Sequence, residues 1–259
     1  MHYRSLGQSG ALDLSFNPGS GPNSIIWAMC LHTNGQTLIA GAFSTYDGMS
    51  ANELVQINPD GSRDSTFDFG QGPNDLVHAI AVQADGRVIV GGSFSAINGL
   101  PRSRLARLRS DGSLDLAFPD PSVNNTVFSI ALQPNGQMLI GGSFSGVRGT
   151  DRNRLARLNS DGGLDMSFNI GLGFDSDVKV LAVASGGKVL VGGSFNTFNG
   201  TNHTHIVRLN PDGSLDTSFD TGLVAPSSSQ VSSICVQDDG KILVGGTFTR
   251  GADQLLIRY

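Results

Sequence analysis

Apolar residues recur along this chain in short runs, each cut off by a Gly-containing turn. In one stretch, Leu76-Val77-His78-Ala79-Ile80-Ala81-Val82 is almost wholly apolar, Asp85-Gly86 interrupts it, and Arg87-Val88-Ile89-Val90-Gly91-Gly92-Ser93-Phe94 is apolar again. Asn98-Gly99 then intervenes, Leu105-Ala106-Arg107-Leu108 follows, and Asp111-Gly112 precedes Leu114 to Phe118. Runs this short, rich in β-branched residues and bounded by Asp-Gly or Asn-Gly, predict strands joined by tight hairpins. Connections so short force antiparallel neighbours. The unit is therefore read as a four-stranded antiparallel meander.

The unit repeats. Its last segment reads Leu12-Asp13-Leu14-Ser15-Phe16, Arg63-Asp64-Ser65-Thr66-Phe67, Leu114-Asp115-Leu116-Ala117-Phe118, Leu164-Asp165-Met166-Ser167-Phe168 and Leu215-Asp216-Thr217-Ser218-Phe219. The second-strand Phe recurs as Phe43, Phe144, Phe195 and Phe248. A period of about 50 residues signals an array of like supersecondary units. Such sheets can be arranged radially, with short protected edges. The expected fold is all-β: a five-bladed β-propeller, four antiparallel strands per blade, forming one domain over residues 1–259. The C-terminal copy stops at the equivalent of a third strand. Residues 1–16 are expected to complete the blade of 226–259, with Asp13 near Arg258 or the adjoining blade.

Composition agrees with turns rather than helices. Of 22 acidic residues only Glu53 is Glu, and of 17 basic residues only Lys179, Lys188 and Lys241 are Lys. Asp favours turns and caps, whereas Glu and Lys favour helices. A net charge of -5 argues against nucleic-acid binding. No apolar run approaches the roughly 20 residues of a membrane span. Met-His-Tyr-Arg-Ser-Leu lacks the apolar core of a signal peptide. Cys30 and Cys235 occupy equivalent positions and read as small buried residues; a disulfide would need a Cα separation under roughly 7 Å.

Two segments carry a family resemblance. Leu209-Asn210-Pro211-Asp212-Gly213-Ser214-Leu215-Asp216-Thr217-Ser218-Phe219 and Asp239-Gly240-Lys241-Ile242-Leu243-Val244-Gly245-Gly246-Thr247-Phe248 are similar to the consensus of the delta-sixty repeat family. The resemblance covers nearly the whole chain. It implies a propeller, a bacterial source and a surface or secreted location, and it brings no catalytic residues.

Repeated chemistry reads as structure. The Asp of each last segment is matched by Arg107, Arg157, Arg208 and Arg258, with Gln56 in the odd copy, so a repeated ion pair is expected. The Gly-Gly-Ser-Phe segments lack the following helix that a phosphate site needs. His203 and His205 can face one side of an extended segment, but no third ligand completes a zinc site. No cofactor, metal site or catalytic residue is expected.

Specificity is sought where copies differ. One inner-strand position reads Trp27, His78, Phe128, Lys179 and Ser232. A core position would not tolerate Trp and Lys alike, so these residues are placed at the channel mouth. Tyr46 and Arg148, in the variable loops after the second strands, complete the candidate ligand-binding set. The favoured function is a non-catalytic binding or scaffolding propeller, monomeric, for a small molecule, glycan or protein. A lectin-like propeller is one alternative. The other is a hydrolase using Asp75, Asp175 or Asp177, since residues 25–31, 76–82, 127–132, 178–183 and 231–236 contain no acid.

Overall fold

Asn98 and Gly99 both have positive φ, 52° and 72°. That pairing is the type I′ hairpin turn, whose twist matches the strands it joins. It closes a two-stranded ribbon, Ala96–Ile97 with Leu100–Pro101, and three more ribbons stand at Thr45–Ser50, Gly146–Asp151 and Thr197–Asn202. The computed structural model describes residues 12–32, 34–219 and 229–247, and the backbone of 256–258. Phe248 and the Arg258 side chain lie outside the described residues.

Among the described residues are five three-stranded antiparallel sheets. The inner strands are Ile26–Leu31, Val77–Val82, Val127–Leu132, Val178–Val183 and Gln230–Val236. Each pairs with a middle strand: Thr37–Gly41, Val88–Gly92, Met138–Gly142, Val189–Gly193 or Ile242–Thr247. The outer strands are Leu54–Ile57, Leu105–Leu108, Leu155–Leu158, Ile206–Leu209 and Leu256–Arg258. Helix is confined, among the described residues, to one 3-10 turn at Ser185–Gly187. The fold is all-β and propeller-like.

The core lies between sheets. Leu38, Ala40 and Leu54 of sheet one pack with Val77 and Ile80 of sheet two. The same contact recurs as Ile89 and Leu105 with Val127, Leu139 and Leu155 with Val178 and Leu181, and Leu190 and Ile206 with Val231. Gly91, Gly141 and Gly192, each the first of a Gly-Gly pair, serve this packing. A Cβ on Gly91 would stand 2.8 Å from Val127 Cγ1, so a side chain there would push the sheets apart.

The expected fourth strand is not a strand. Leu108 and Leu114 meet in a single bridge, as do Leu158 and Leu164, and Leu209 and Leu215. The Asp that follows curls the chain away. Asp165 Oδ1 accepts from the Ser167 amide at 2.9 Å and its hydroxyl at 2.7 Å, an Asx turn that competes with strand pairing. The other carboxylate oxygen carries the expected ion pair: Arg107 Nε donates to Asp115 at 2.8 Å, and Arg157 Nε to Asp165 at 2.7 Å. In sheet one Gln56 Nε2 replaces Arg, at 2.9 Å from Asp64. Each guanidinium also covers the Phe that ends its segment, as Arg157 covers Phe168 at 4.6 Å.

These carboxylates give the fold a pH dependence. Burial pushes the Asp165 carboxyl up, but Ser167 and Arg157 outweigh it and hold the group at about 2, against 3.8 ordinarily. Asp64, Asp115 and Asp216 are lowered too. A depressed native pKa means the unfolded chain takes up the proton first. The stabilisation is then complete above about pH 4 and lost as pH falls toward 2. Thermal melts by circular dichroism should show Tm falling through that window. In Asp165→Asn the fall should be shallower; an unchanged slope would exclude Asp165 as a contributor.

The two ends of the array differ from its middle. Inner strands of successive sheets lie side by side from sheet one to sheet five, and among the described residues no comparable packing joins the inner strand of sheet five to that of sheet one. Met29 is 67% exposed, whereas Ile80, its counterpart, is 9% exposed. Ile26, Met29 and Leu31 line an open apolar groove with Phe16, Ile39 and Ile57. The N-terminal segment stands beside this groove. The Asn17 amide donates to Asp60 O at 2.7 Å, as Asp68 does to Asp111 O at 2.8 Å between sheets one and two. Residues 12–17 thus occupy the place from which a preceding sheet would hand over. Asp13, however, is exposed and hydrogen-bonds Ser15. Its expected contact with Arg258 falls outside the described residues.

Candidate functional site

Every inner strand carries a β-bulge at the same place. The register shifts between Ile26 and Ala28, Val77 and Ala79, Val127 and Ser129, Val178 and Val180, and Val231 and Ser233. The residue stepped over is Trp27, His78, Phe128, Lys179 or Ser232, the position at which the copies disagree. A bulge leaves one residue unpaired and re-aims its side chain. The second Gly of each pair makes room for it. A Cβ on Gly92 would fall well inside contact distance of the Leu76 carbonyl oxygen, and Gly41, Gly142, Gly193 and Gly246 face the same obstacle. That carbonyl turns instead to accept from the Ser93 amide at 2.9 Å.

The bulge residues meet around one cavity of about 380 Å³, lined by Trp27, His78, Phe128, Lys179, Gln230 and Ser232. Three aromatic rings follow one another. Trp27 and His78 stand 5.6 Å apart at 60°, and His78 and Phe128 stand 5.4 Å apart at 72°. Lys179 Nζ lies over the Phe128 ring at 3.7 Å and binds Asp177 Oδ2 at 2.8 Å. Ring faces attract such cations. His78 Nε2 is 3.2 Å from Ser93 Oγ, which is 3.2 Å from Thr126 Oγ1. Burial, then Lys179, lowers the His78 pKa below 6.5 despite Asp75, so the ring is neutral at pH 7. Trp27 is half exposed, at 50%.

The remaining candidates lie elsewhere. Tyr46 is in the core of sheet one, donating its hydroxyl to Gly61 O at 2.7 Å. Its counterparts Ile97, Val147 and Phe198 are buried as well, so the position is structural. Arg148 sits at a ribbon tip with φ 52°, outside the cavity lining. Gln230 was not among the expected residues. Its signal was the position two before the bulge residue, which also varies as Ile25, Leu76, Thr126 and Asp177.

The acidic candidates are engaged in structural bonds. Asp75 Oδ1 accepts from the Leu76 amide at 2.8 Å, and Asp175 Oδ1 from the Asn196 and Thr197 amides at 2.9 and 3.0 Å. Asp177 holds Lys179. Glu53 is pushed up by burial and then by Asp75, and sits at φ 65° before an outer strand. Among the described residues no group of three His, Cys, Asp or Glu can hold a metal ion. His205 is fully buried, in the place taken by Arg104 and Arg154 in other copies. Cys30 and Cys235 are free thiols. No helix among the described residues is long and apolar enough to cross a membrane.

A model of the family described as "Domain of unknown function (DUF5122) beta-propeller" matches residues 32–67, 83–118, 133–168, 185–219 and 237–259, more than half of the chain. Curated proteins contain no match. Several solved structures resemble the fold. A gluconolactonase from Xanthomonas campestris is 14% identical with a TM-score of 0.56, over 86% of this chain and 69% of that one. Virginiamycin B lyase from Staphylococcus aureus is 17% identical with a TM-score of 0.52, over 96% and 72%. A protein of unknown function from Bacteroides caccae is 14% identical with a TM-score of 0.52, over 90% and 77%. At these identities the likeness is one of fold.

Proposed function

This chain belongs to the DUF5122 β-propeller family, and on that premise we propose that it is a non-catalytic binding module whose ligand sits at the mouth lined by the bulge residues. One observation carries the reading. On a scaffold that repeats nearly everything else, the five unlike residues are the bulge residues, and they surround one cavity. A rigid frame bearing variable positions suits recognition. We read residues 1–259 as one five-bladed ring, because residues from all five sheets line that cavity. The hydrolase alternative is less well supported, since Asp75, Asp175 and Asp177 are each tied to a backbone amide or to Lys179.

Trp27 is the only Trp in the chain, so its emission reports on the mouth alone. A library of small molecules and glycans screened by Trp27 fluorescence should contain compounds that change it saturably. The pair His78→Ala with Lys179→Ala should weaken those responses at least about tenfold, some 1.4 kcal/mol. Tm should move by no more than about 2 °C, because neither side chain takes part in the ladder. Responses that survive the double substitution would place the binding elsewhere.

A further inference from the structure

We infer that the mouth takes a neutral carbohydrate, a pyranose stacking on the exposed Trp27 ring. The inference rests on the mouth being the binding site, and goes on to its chemistry. The first argument is charge. Lys179 is the one cation of the lining, and Asp177 already pairs with it at 2.8 Å while Phe128 covers it at 3.7 Å. His78 is neutral at pH 7. An anionic ligand would have to share Lys179 with Asp177 and would meet a like charge there. A cationic ligand would meet Lys179 itself. A neutral ligand meets neither difficulty.

The second argument is shape. Neighbouring rings stand at 60° and 72°, so neither adjacent pair forms a parallel-walled slot for a flat aromatic ligand. The most exposed ring of the arc is Trp27, at 50%, whereas His78 and Phe128 are partly buried and Lys179 lies over Phe128. A ring face is electron-rich, and the polarised C–H bonds on one side of a pyranose suit it. The third argument is the polar rim. Gln230 and Ser232, both from the fifth sheet, stand in the same lining as the aromatic residues. Lys179 has three N–H bonds, of which Asp177 takes one. Donors and acceptors grouped beside an apolar platform match hydroxyls around an apolar ring face. A cavity of about 380 Å³ admits one or two sugar rings.

The test pairs neutral sugars with their charged analogues. The full chain is titrated, with Trp27 emission as the readout, against glucose, galactose, mannose and N-acetylglucosamine, and against glucuronate and galacturonate. A glycan array is probed in parallel with the protein and with Trp27→Ala, whose Tm is measured first. The expected result is saturable change with at least one neutral sugar, at least about tenfold tighter than its uronate. The matching array signal should be lost in Trp27→Ala. Tighter binding of the uronate would overturn the neutral class while leaving the mouth as the site. So would a response to indole with none to any sugar. Array signals that persist in Trp27→Ala would overturn the mouth as the site.

Discussion

Replacing Gly92 by Ala is expected to destabilise the protein by about 3 kcal/mol or more, at the top of the range for overpacked sites. The new Cβ would overlap the Leu76 carbonyl oxygen, which is backbone and has no rotamer to change. Relief would require straightening the bulge, and that would shift the register of the inner strand and turn its core residues outward. For a chain of this size, Tm should fall by roughly 6–12 °C. His78→Ala alters the same bulge without crowding it, and should leave Tm nearly unchanged. A Gly92→Ala melt within about 2 °C of the parent would show that the bulge is not held by this close approach.

Arg157→Met should cost nearly as much, about 3 kcal/mol. Arg157 is buried, pairs with Asp165, lies over Phe168, and donates through Nη1 to Pro211 O at 2.6 Å in the neighbouring repeat. Removing it leaves the Asp165 carboxylate buried with only Gln137 and Ser167 as side-chain partners. It also cuts a bond between repeats. Sheet one supplies the comparison, because Gln56 and Gln36 together hold Asp64 there. Arg157→Gln should therefore recover part of the loss, and chemical denaturation should rank the three proteins parent, Gln, Met. A Met variant as stable as the Gln variant would mean that the carboxylate does not need the partner.

The strands were legible because their signals are local. Residues 127–132 and 178–183 are inner strands as read, since apolar runs and Gly-containing turns act within a few residues. The Asp–Arg pairing was legible because it recurs in register. Three features were not. The bulge is a property of two strands at once, and a single strand's pattern does not reveal which residue its partner skips. The Asx turn hid inside a phrase that resembles a strand, because Leu114, Leu116 and Phe118 alternate as strand residues do; Leu116 is in fact 64% exposed. Tyr46 looked like a loop residue because its copies, Ile97, Val147 and Phe198, differ in chemistry, although all four share the core. The site itself was half legible. Variation picked out the five bulge residues of the mouth and missed Gln230, whose position varies too but is apolar in the first two copies.

The bulge has a consequence for how such a chain can change. The ladder steps over one residue per sheet, so the strand pairing of each sheet does not depend on what that residue is. Most substitutions bring a protein nearer its stability threshold. Five positions here stand largely outside that constraint, and they stand together. Mutation can therefore explore new combinations at the mouth while the remainder of each repeat is held constant, and divergence in recognition need not await compensation in the fold.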